Sequence, residues 1–351
     1  MGQAVVHLRG VYGADRSGRR ARGARRRGCP VKRIVYATYS AAGGDRLVWR
    51  LASRRLRILA YHGICDDELA RERWVPPYFV TRSAFDAQLA YLKRHACVLP
   101  LSEAVARLRG HDLPARAVSI TFDDGYANNL YAAYPILKKY GMPATIFLAT
   151  AYMDSGELFP FDRVQLIEHL MRGHATAHRE APSLRDYERA PLDDVRRRID
   201  DWWHRWGSPL TADQVTTLRP LRRDEMAGFS GGLVEFGAHT HSHCILRNET
   251  EARRRAEIRE SILRVADLTG RTPTLFSYPN GKPTDFGEDD KQVLRGARIA
   301  AAVTTTAGSN RRDRDLLELR RYSVGLLHTP QSFAAALTGV QTLLGIARRG
   351  A

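Results

Sequence analysis

The sequence predicts an α/β fold built on a parallel sheet or barrel. Short apolar runs rich in β-branched and aromatic residues alternate with longer segments of helical periodicity. Residues 117–149 read strand, helix, strand, at a spacing that implies a parallel crossover. A polar stretch at about 155–230 interrupts the alternation and reads as a helical insertion packed over the sheet.

A short basic peripheral helix is expected at 35–55. Arg57-Ile58-Leu59-Ala60-Tyr61 then reads as the first buried strand, ending at His62-Gly63. Ser83 is taken as the cap of a helix in which Phe85, Leu89 and Leu92 recur at helical spacing. Cys97 to Pro100 reads as a strand, and Ser102 as the cap of the helix after it. Ala117 to Phe122 is a strand closed by Asp123-Asp124-Gly125. The helix near 128–140 stops at Gly141, and Ala144 to Ala149 is the next strand. In the insertion, Trp202, Trp203 and Trp206 share one segment and are assigned to helix packing rather than sugar stacking. Val234 to Gly237 resumes the strands, followed by a helix capped by Asn248 and running to about Thr269. The remaining strands are Leu275–Tyr278, Ile299–Thr304 and Leu319–Val324, with helices near 287–297 and 330–345.

Composition bounds the class. The chain has 351 residues, 44% hydrophobic and 26% charged, which is globular and long enough to bury a core without disulfides. Cys29, Cys65, Cys97 and Cys244 lie far apart, so neither a disulfide framework nor a cysteine zinc site is expected, and Cys244 is assigned to the core. No run approaches the roughly 18 apolar residues of a membrane span, and the first residues lack the apolar core of a secretory signal. The expected location is therefore the cytoplasm or the inner face of the membrane, with peripheral contact. The net charge of +17 opens the question of a nucleic-acid partner. Residues 1–30 hold eight arginines against the single acid Asp15, without apolar periodicity. That segment reads as disordered or as a mis-assigned start, with the chain proper beginning at Val31. No aromatic–basic recognition motif accompanies the charge, so nucleic acid is not expected to bind.

Two segments carry chemistry. Asp123 and Asp124 put adjacent carboxylates at the carboxyl end of a buried strand, where α/β barrels hold their active sites. One acid can bind a metal while the other faces the reacting water. His239-Thr240-His241-Ser242-His243 follows the strand at 234–237. Its outer histidines are four apart, so a helical turn or a tight loop brings both imidazoles to one side. Imidazoles with a carboxylate make a three-ligand site with open positions.

Together these segments resemble the polysaccharide deacetylase family, carbohydrate esterase family 4, in its exopolysaccharide or poly-N-acetylglucosamine deacetylase-like branch. Residues 121–125 match its TFDDG motif, and residues 239–243 its H-[ST]-x-x-H motif. Phe276-Ser277-Tyr278-Pro279-Asn280-Gly281 is similar to the family's proline loop, with Ser277 standing where an arginine is usual. The resemblance runs over about residues 56–325. It implies a distorted (β/α) barrel of fewer than eight strands, here within 56–345, and a hydrolase acting on an N-acetylated glycan. It further implies Asp123 as general base and Asp124, His239 and His243 as ligands of a divalent metal. Zinc comes first, with cobalt, nickel or manganese as alternatives. Tyr278, Pro279 and Asn280 are implied at the substrate, with a backbone N–H, that of Asn280, on the oxyanion. For the general acid, Tyr61-His62-Gly63 resembles the Tyr-His of biofilm deacetylases, and Leu326-Leu327-His328 the family's Leu-x-His motif. His62 is preferred because it ends the first strand; His328 is the weaker alternative. A catalytically inactive carbohydrate-binding barrel is the competing function.

A chain beginning at Val31 is expected to fold and turn over substrate as the full chain does. Lost solubility or activity in that truncation would give residues 1–30 a role.

Overall fold

Seven parallel strands pair in the order β1 (Arg57–Tyr61), β10 (Leu319–Ser323), β9 (Ala301–Ala307), β8 (Leu275–Ser277), β7 (Val234–Ala238), β6 (Ala144–Leu148) and β5 (Ala117–Phe122), and β5 returns to β1 to close the ring. The structure is a computed structural model that describes residues 54–171, 181–229 and 231–338. The chain divides into two compact units, Ser53–Leu326 and Met1–Ala52 with Leu327–Ala351. The barrel lies in the first. The expected helix at 35–55 falls almost wholly outside the described residues.

β1 (Arg57–Tyr61) is buried along its whole length. β2 (Ile64–Cys65) and β3 (Val80–Thr81) form a separate parallel pair beside it. α1 (Arg82–His95) buries Phe85, Leu89 and Leu92, the periodic positions read from the sequence. Its cap is Thr81 and not Ser83: the Thr81 hydroxyl accepts from Ala84 N–H at 3.2 Å, whereas Ser83 is bound to Asp67. β4 (Cys97–Val98) pairs only with the start of β5 and stays outside the ring. α2 (Leu101–Gly110) begins right after Pro100, so Ser102 lies inside its first turn and is not its cap; the Ser102 N–H donates to Glu235 at 3.1 Å.

β5 (Ala117–Phe122) leads through an i→i+5 turn at Asn129–Ala133 into α3 (Tyr134–Tyr140), which Gly141 ends at φ 61°. β6 (Ala144–Leu148) follows. The insertion is helical, as its polar composition predicts: α4 (Ala151–Ser155), α5 (Pro160–Leu170), α6 (Leu184–Arg189), α7 (Leu192–Trp206) and α8 (Ala212–Leu218). β7 (Val234–Ala238) then pairs with β6 over five residues. α9 (Glu251–Thr269) is capped by Thr250 rather than Asn248. β8 (Leu275–Ser277), α10 (Glu288–Gly296), β9 (Ala301–Ala307) and β10 (Leu319–Ser323) complete the ring. α11 (Pro330–Thr338) is the described helix of the other unit, and the expected continuation to 345 lies outside the described residues.

The two mouths of the barrel differ for a simple reason. Strand-start residues Ala117, Leu275, Ala301 and Leu319 join Leu101, Ala104, Val105 and Leu108 of α2 in one buried cluster. An apolar helix thus plugs the amino ends, and truncating such a leucine to alanine costs roughly 2–5 kcal/mol. The carboxyl ends carry the polar residues. At that mouth β1 lies between β10 and β5, with Leu59 opposite both Tyr322 and Ile120.

Candidate functional site

Asp123 and Asp124 leave β5 in a forced turn. Asp124 and Gly125 both adopt left-handed backbone, φ 73° and 84°, and Gly125 N–H donates to Asp123 C=O at 2.9 Å. Thr240, His243 and Asn280 are also left-handed, at φ 57°, 58° and 58°. Non-glycine residues rarely hold that conformation, and such strain gathers at functional sites. It turns Asp124, His239 and His243 toward one point, with one ligand atom from each within 4.8 Å of the others.

Both imidazoles present Nε2 inward, 3.3 Å (His239) and 3.1 Å (His243) from Asp124 Oδ1. Their outer nitrogens explain why. His239 Nδ1 lies 2.6 Å from the Ser277 carbonyl, which can only accept, so Nδ1 carries the proton. Tyr187, on α6 of the insertion, donates its hydroxyl to the His243 carbonyl at 2.7 Å and sits 2.5 Å from His243 Nδ1. A hydroxyl already donating must accept there, so His243 also holds its proton on Nδ1. In their neutral form the two imidazoles therefore present unprotonated Nε2 atoms to a buried carboxylate whose Oδ2 has no hydrogen-bond partner. That orphan oxygen and those donors fit a divalent cation. Burial alone would raise the Asp124 carboxyl, but its contacts with His239 and His243 outweigh burial and hold it far below the ordinary range. Burial dominates at His243 and lowers it, whereas at His239 the two aspartates prevail over burial and raise it. His241, between them, turns to Thr150 at 2.9 Å and stays out of the cluster.

Asp123 is 2% exposed and meets Arg321, itself fully buried, in a two-pronged pair of 2.7 and 2.6 Å. Burial would raise this carboxyl too, but Arg321 overrides it and keeps Asp123 ionised. The guanidinium also donates to Thr304 C=O at 2.9 Å and to Ser277 Oγ at 3.2 Å. Ser277 occupies the place where an arginine is usual in the proline loop. Arg321, on β10, reaches Ser277 and Asp123 together. Sequence reasoning missed it, although Arg321 shares the buried phase of its strand with Leu319. A charge in that phase announces a paired acid.

His62 stands where the first strand ends. The Tyr61 carbonyl, just before it, accepts from Asp123 N–H at 2.9 Å, and Asn129 holds the His62 backbone carbonyl at 2.7 Å. The His62 ring packs 4.9 Å from Tyr78, and its Nδ1 is buried with no partner. Tyr78 and Tyr126 both donate to Asp162 of α5 at 2.7 Å. Burial pushes the Asp162 carboxyl up to about 8, against the pull of both hydroxyls. The aromatic and charged residues of the insertion gave no sequence signal that they face this site.

The third segment divides. Tyr278 is buried, stacked on Phe286 at 3.8 Å, with its hydroxyl on the Leu317 carbonyl, so its side chain belongs to the core. The Asn280 amide is held by Asp285 at 2.9 Å, and the Asn280 carbonyl accepts from Thr305 at 2.8 Å. Pro279 joins the two. His328 belongs to the other compact unit. Cys65, Cys97 and Cys244 are free thiols.

The family model described as polysaccharide deacetylase matches residues 110–204 and 223–297. A protein of Bacillus subtilis (strain 168) named as a polysaccharide deacetylase, YxkH, is 25% identical over 289 residues, 82% of this chain and 77% of that one. A poly-beta-1,6-N-acetyl-D-glucosamine N-deacetylase of Staphylococcus aureus is 38% identical over 88 residues, 25% of this chain and 30% of that one. The deacetylase PplD of Streptococcus pyogenes shares the fold with a TM-score of 0.53 and 20% identity, over 81% of this chain and 98% of that one.

Arg321→Met is expected to destabilise the protein by about 3–5 kcal/mol at pH 7, because it strands a buried carboxylate. Asp123 is held below its unfolded value. Its stabilisation is therefore complete above about pH 4 and is lost as pH falls through the depressed folded value. Urea unfolding at pH 7 and pH 3 should show the gap between mutant and wild type narrowing in acid. Asp162 has the opposite sign. Its folded carboxyl keeps a proton that the unfolded chain gives up, so the wild type loses stability as pH rises from about 4 to about 8. Asp162→Asn should remove that slope, at most about 1.4 kcal/mol per pH unit, in the same titration.

Proposed function

The chain belongs to the polysaccharide deacetylase family, and on that premise we propose that it is a metal-dependent hydrolase that removes acetyl groups from the N-acetylated sugars of a polysaccharide or its precursor. One observation carries this reading. The buried triad Asp124, His239 and His243 stands beside an ionised Asp123 held by Arg321.

Asp124, His239 and His243 hold the cation, zinc before cobalt, nickel or manganese, because a mixed nitrogen–oxygen set of three leaves positions open. When bound, the ion polarises the acetamide carbonyl and makes water easier to deprotonate. Asp123 takes the proton of the attacking water. Arg321 leaves it able to do so, because each carboxylate oxygen has a second lone pair free after one N–H bond. The backbone N–H of Asn280, aimed by its left-handed conformation, receives the developing oxyanion. His62 gives a proton to the leaving amine nitrogen. It follows Tyr61, whose carbonyl accepts from Asp123 N–H at the end of the paired strand, and this supports the role over His328. Tyr78 packs against the His62 ring and, tied to Asp162, limits its motion. The partner is a glycan rather than a nucleic acid. An inactive binding barrel would have no use for four intact polar residues buried at this mouth. Among the described residues, no helix is long and apolar enough to cross a membrane.

Asp124→Ala, His239→Ala and His243→Ala should each lose bound metal and acetate release while keeping the fold, as read by elemental analysis and circular dichroism. Tyr187→Phe should weaken metal binding about 10–100-fold, since it removes the partner of His243 Nδ1. Full occupancy in His243→Ala would sink the ligand assignment.

Asp123→Asn should keep the metal and slow acetate release by roughly 10²–10⁴. Loss of the general acid should hurt amides, whose leaving group needs a proton, and spare activated aryl acetates. The ratio of N-acetyl sugar to aryl acetate turnover should therefore fall in His62→Ala and hold in His328→Ala. The reverse pattern would make His328 the acid.

A further inference from the structure

Residues 157–163 face two ways. Phe161 packs its ring 4.7 Å from His243, and Asp162 lies between Tyr78 and Tyr126. Their neighbours Glu157, Leu158 and Arg163 line a cleft of about 520 Å³. Trp203 and Asp200 of α7, with the loop that follows, line the rest. The cleft is thus within one helical turn of residues that wall the metal triad. Its volume falls in the roughly 300–1,000 Å³ range of ligand sites.

The three tryptophans of α7 separate by role. Trp202 is 2% exposed and packs in the core, Trp206 is 40% exposed, and Trp203 is half-buried at the cleft. The Trp203 ring is held in place before any ligand arrives. Arg163 lies 5.7 Å from its centroid and is fixed by an ion pair with Asp200 at 2.7 Å. Gly207 lets the following loop fold back against the indole. A Cβ there would stand 2.6 Å from Trp203 Cδ1 and 2.4 Å from its carbonyl oxygen. The cleft therefore combines a fixed aromatic ring with a guanidinium, two carboxylates and a serine hydroxyl. A pyranose offers the matching surface: an apolar C–H face for the ring and a rim of hydroxyls and amides for the polar groups. The cleft carries two acids against one arginine, which disfavours polyanions.

We propose that the Trp203 cleft is a subsite for a neutral amino-sugar chain, which holds residues of the polymer away from the one being deacetylated. This rests on the deacetylase reading of the metal triad, but the cleft can be tested without turnover. The probe is a β-1,6-linked N-acetylglucosamine pentasaccharide, titrated calorimetrically into the full chain. Trp203→Ala should weaken its binding about tenfold, the loss of one ring contact with its buried area, and Trp203→Phe should restore most of it. In turnover, Trp203→Ala should raise KM for the pentasaccharide and leave disaccharide kinetics and metal content unchanged. Asp200→Ala, at an exposed carboxylate, guards against a folding defect and should weaken pentasaccharide binding several-fold. Pentasaccharide binding lost in Trp203→Ala, even where no acetate is released by wild type, supports the subsite and sinks only the deacetylase reading. Unchanged affinity in both folded variants, or no pentasaccharide binding by wild type, overturns the subsite.

Discussion

The buried pair of Arg321 and Asp123 is the interaction around which the barrel mouth is organised. Neither charge could stay in a closed barrel alone, since the desolvation of each is repaid only by the other. The pair ties the end of β5 to β10 with β1 between them, and the same guanidinium reaches Ser277 on β8 and Thr304 on β9. One side chain therefore fixes the spacing of several strand ends. All five of its N–H donors have partners, in Thr304, Thr121, Ser277 and both Asp123 oxygens, which a lysine could not match in a fixed plane.

From that pair outward, the site is a series of constraints on nitrogen and oxygen lone pairs. Ser277 serves twice: its hydroxyl accepts from Arg321 and its carbonyl sets the tautomer of His239. The proline loop thus orients both the candidate base and one candidate ligand. Tyr187 does the same for His243 from a different part of the chain. The left-handed residues Asp124, Thr240, His243 and Asn280 show where backbone strain is spent to make these groups meet. The plug of α2 at the opposite mouth supplies the packing that can hold such strain.

The insertion is part of the site and not an ornament on it. α5 brings Phe161 against His243 and Asp162 against two tyrosines, and α6 brings Tyr187. Glu188 of α6 also pairs with Lys282 of the proline loop at 2.9 Å. The carboxyl end of the barrel is therefore walled by residues far from the strand motifs in sequence. They bury the triad, and burial strengthens every polar contact inside it.

The sequence by itself determined the strand and helix order, the parallel pairing, and the placing of Asp123, Asp124, His239 and His243 at strand ends. These depend on local periodicity and on motifs a few residues long, so neighbours in the chain carry the signal. Helix caps were misread at Ser83 and Asn248, where a neighbouring threonine offers its hydroxyl to the same helix start, and at Ser102, where the helix begins directly after Pro100. Tertiary structure alone decided that Arg321 meets Asp123 and Ser277, that Tyr187 and Ser277 choose the histidine tautomers, and that the Tyr278 side chain belongs to the core. It alone sorted the three tryptophans of α7 into one core residue, one cleft wall and one exposed ring. Each of those outcomes is set by a partner dozens to nearly two hundred residues away, and closure of the barrel is the physical event that brings such partners into contact.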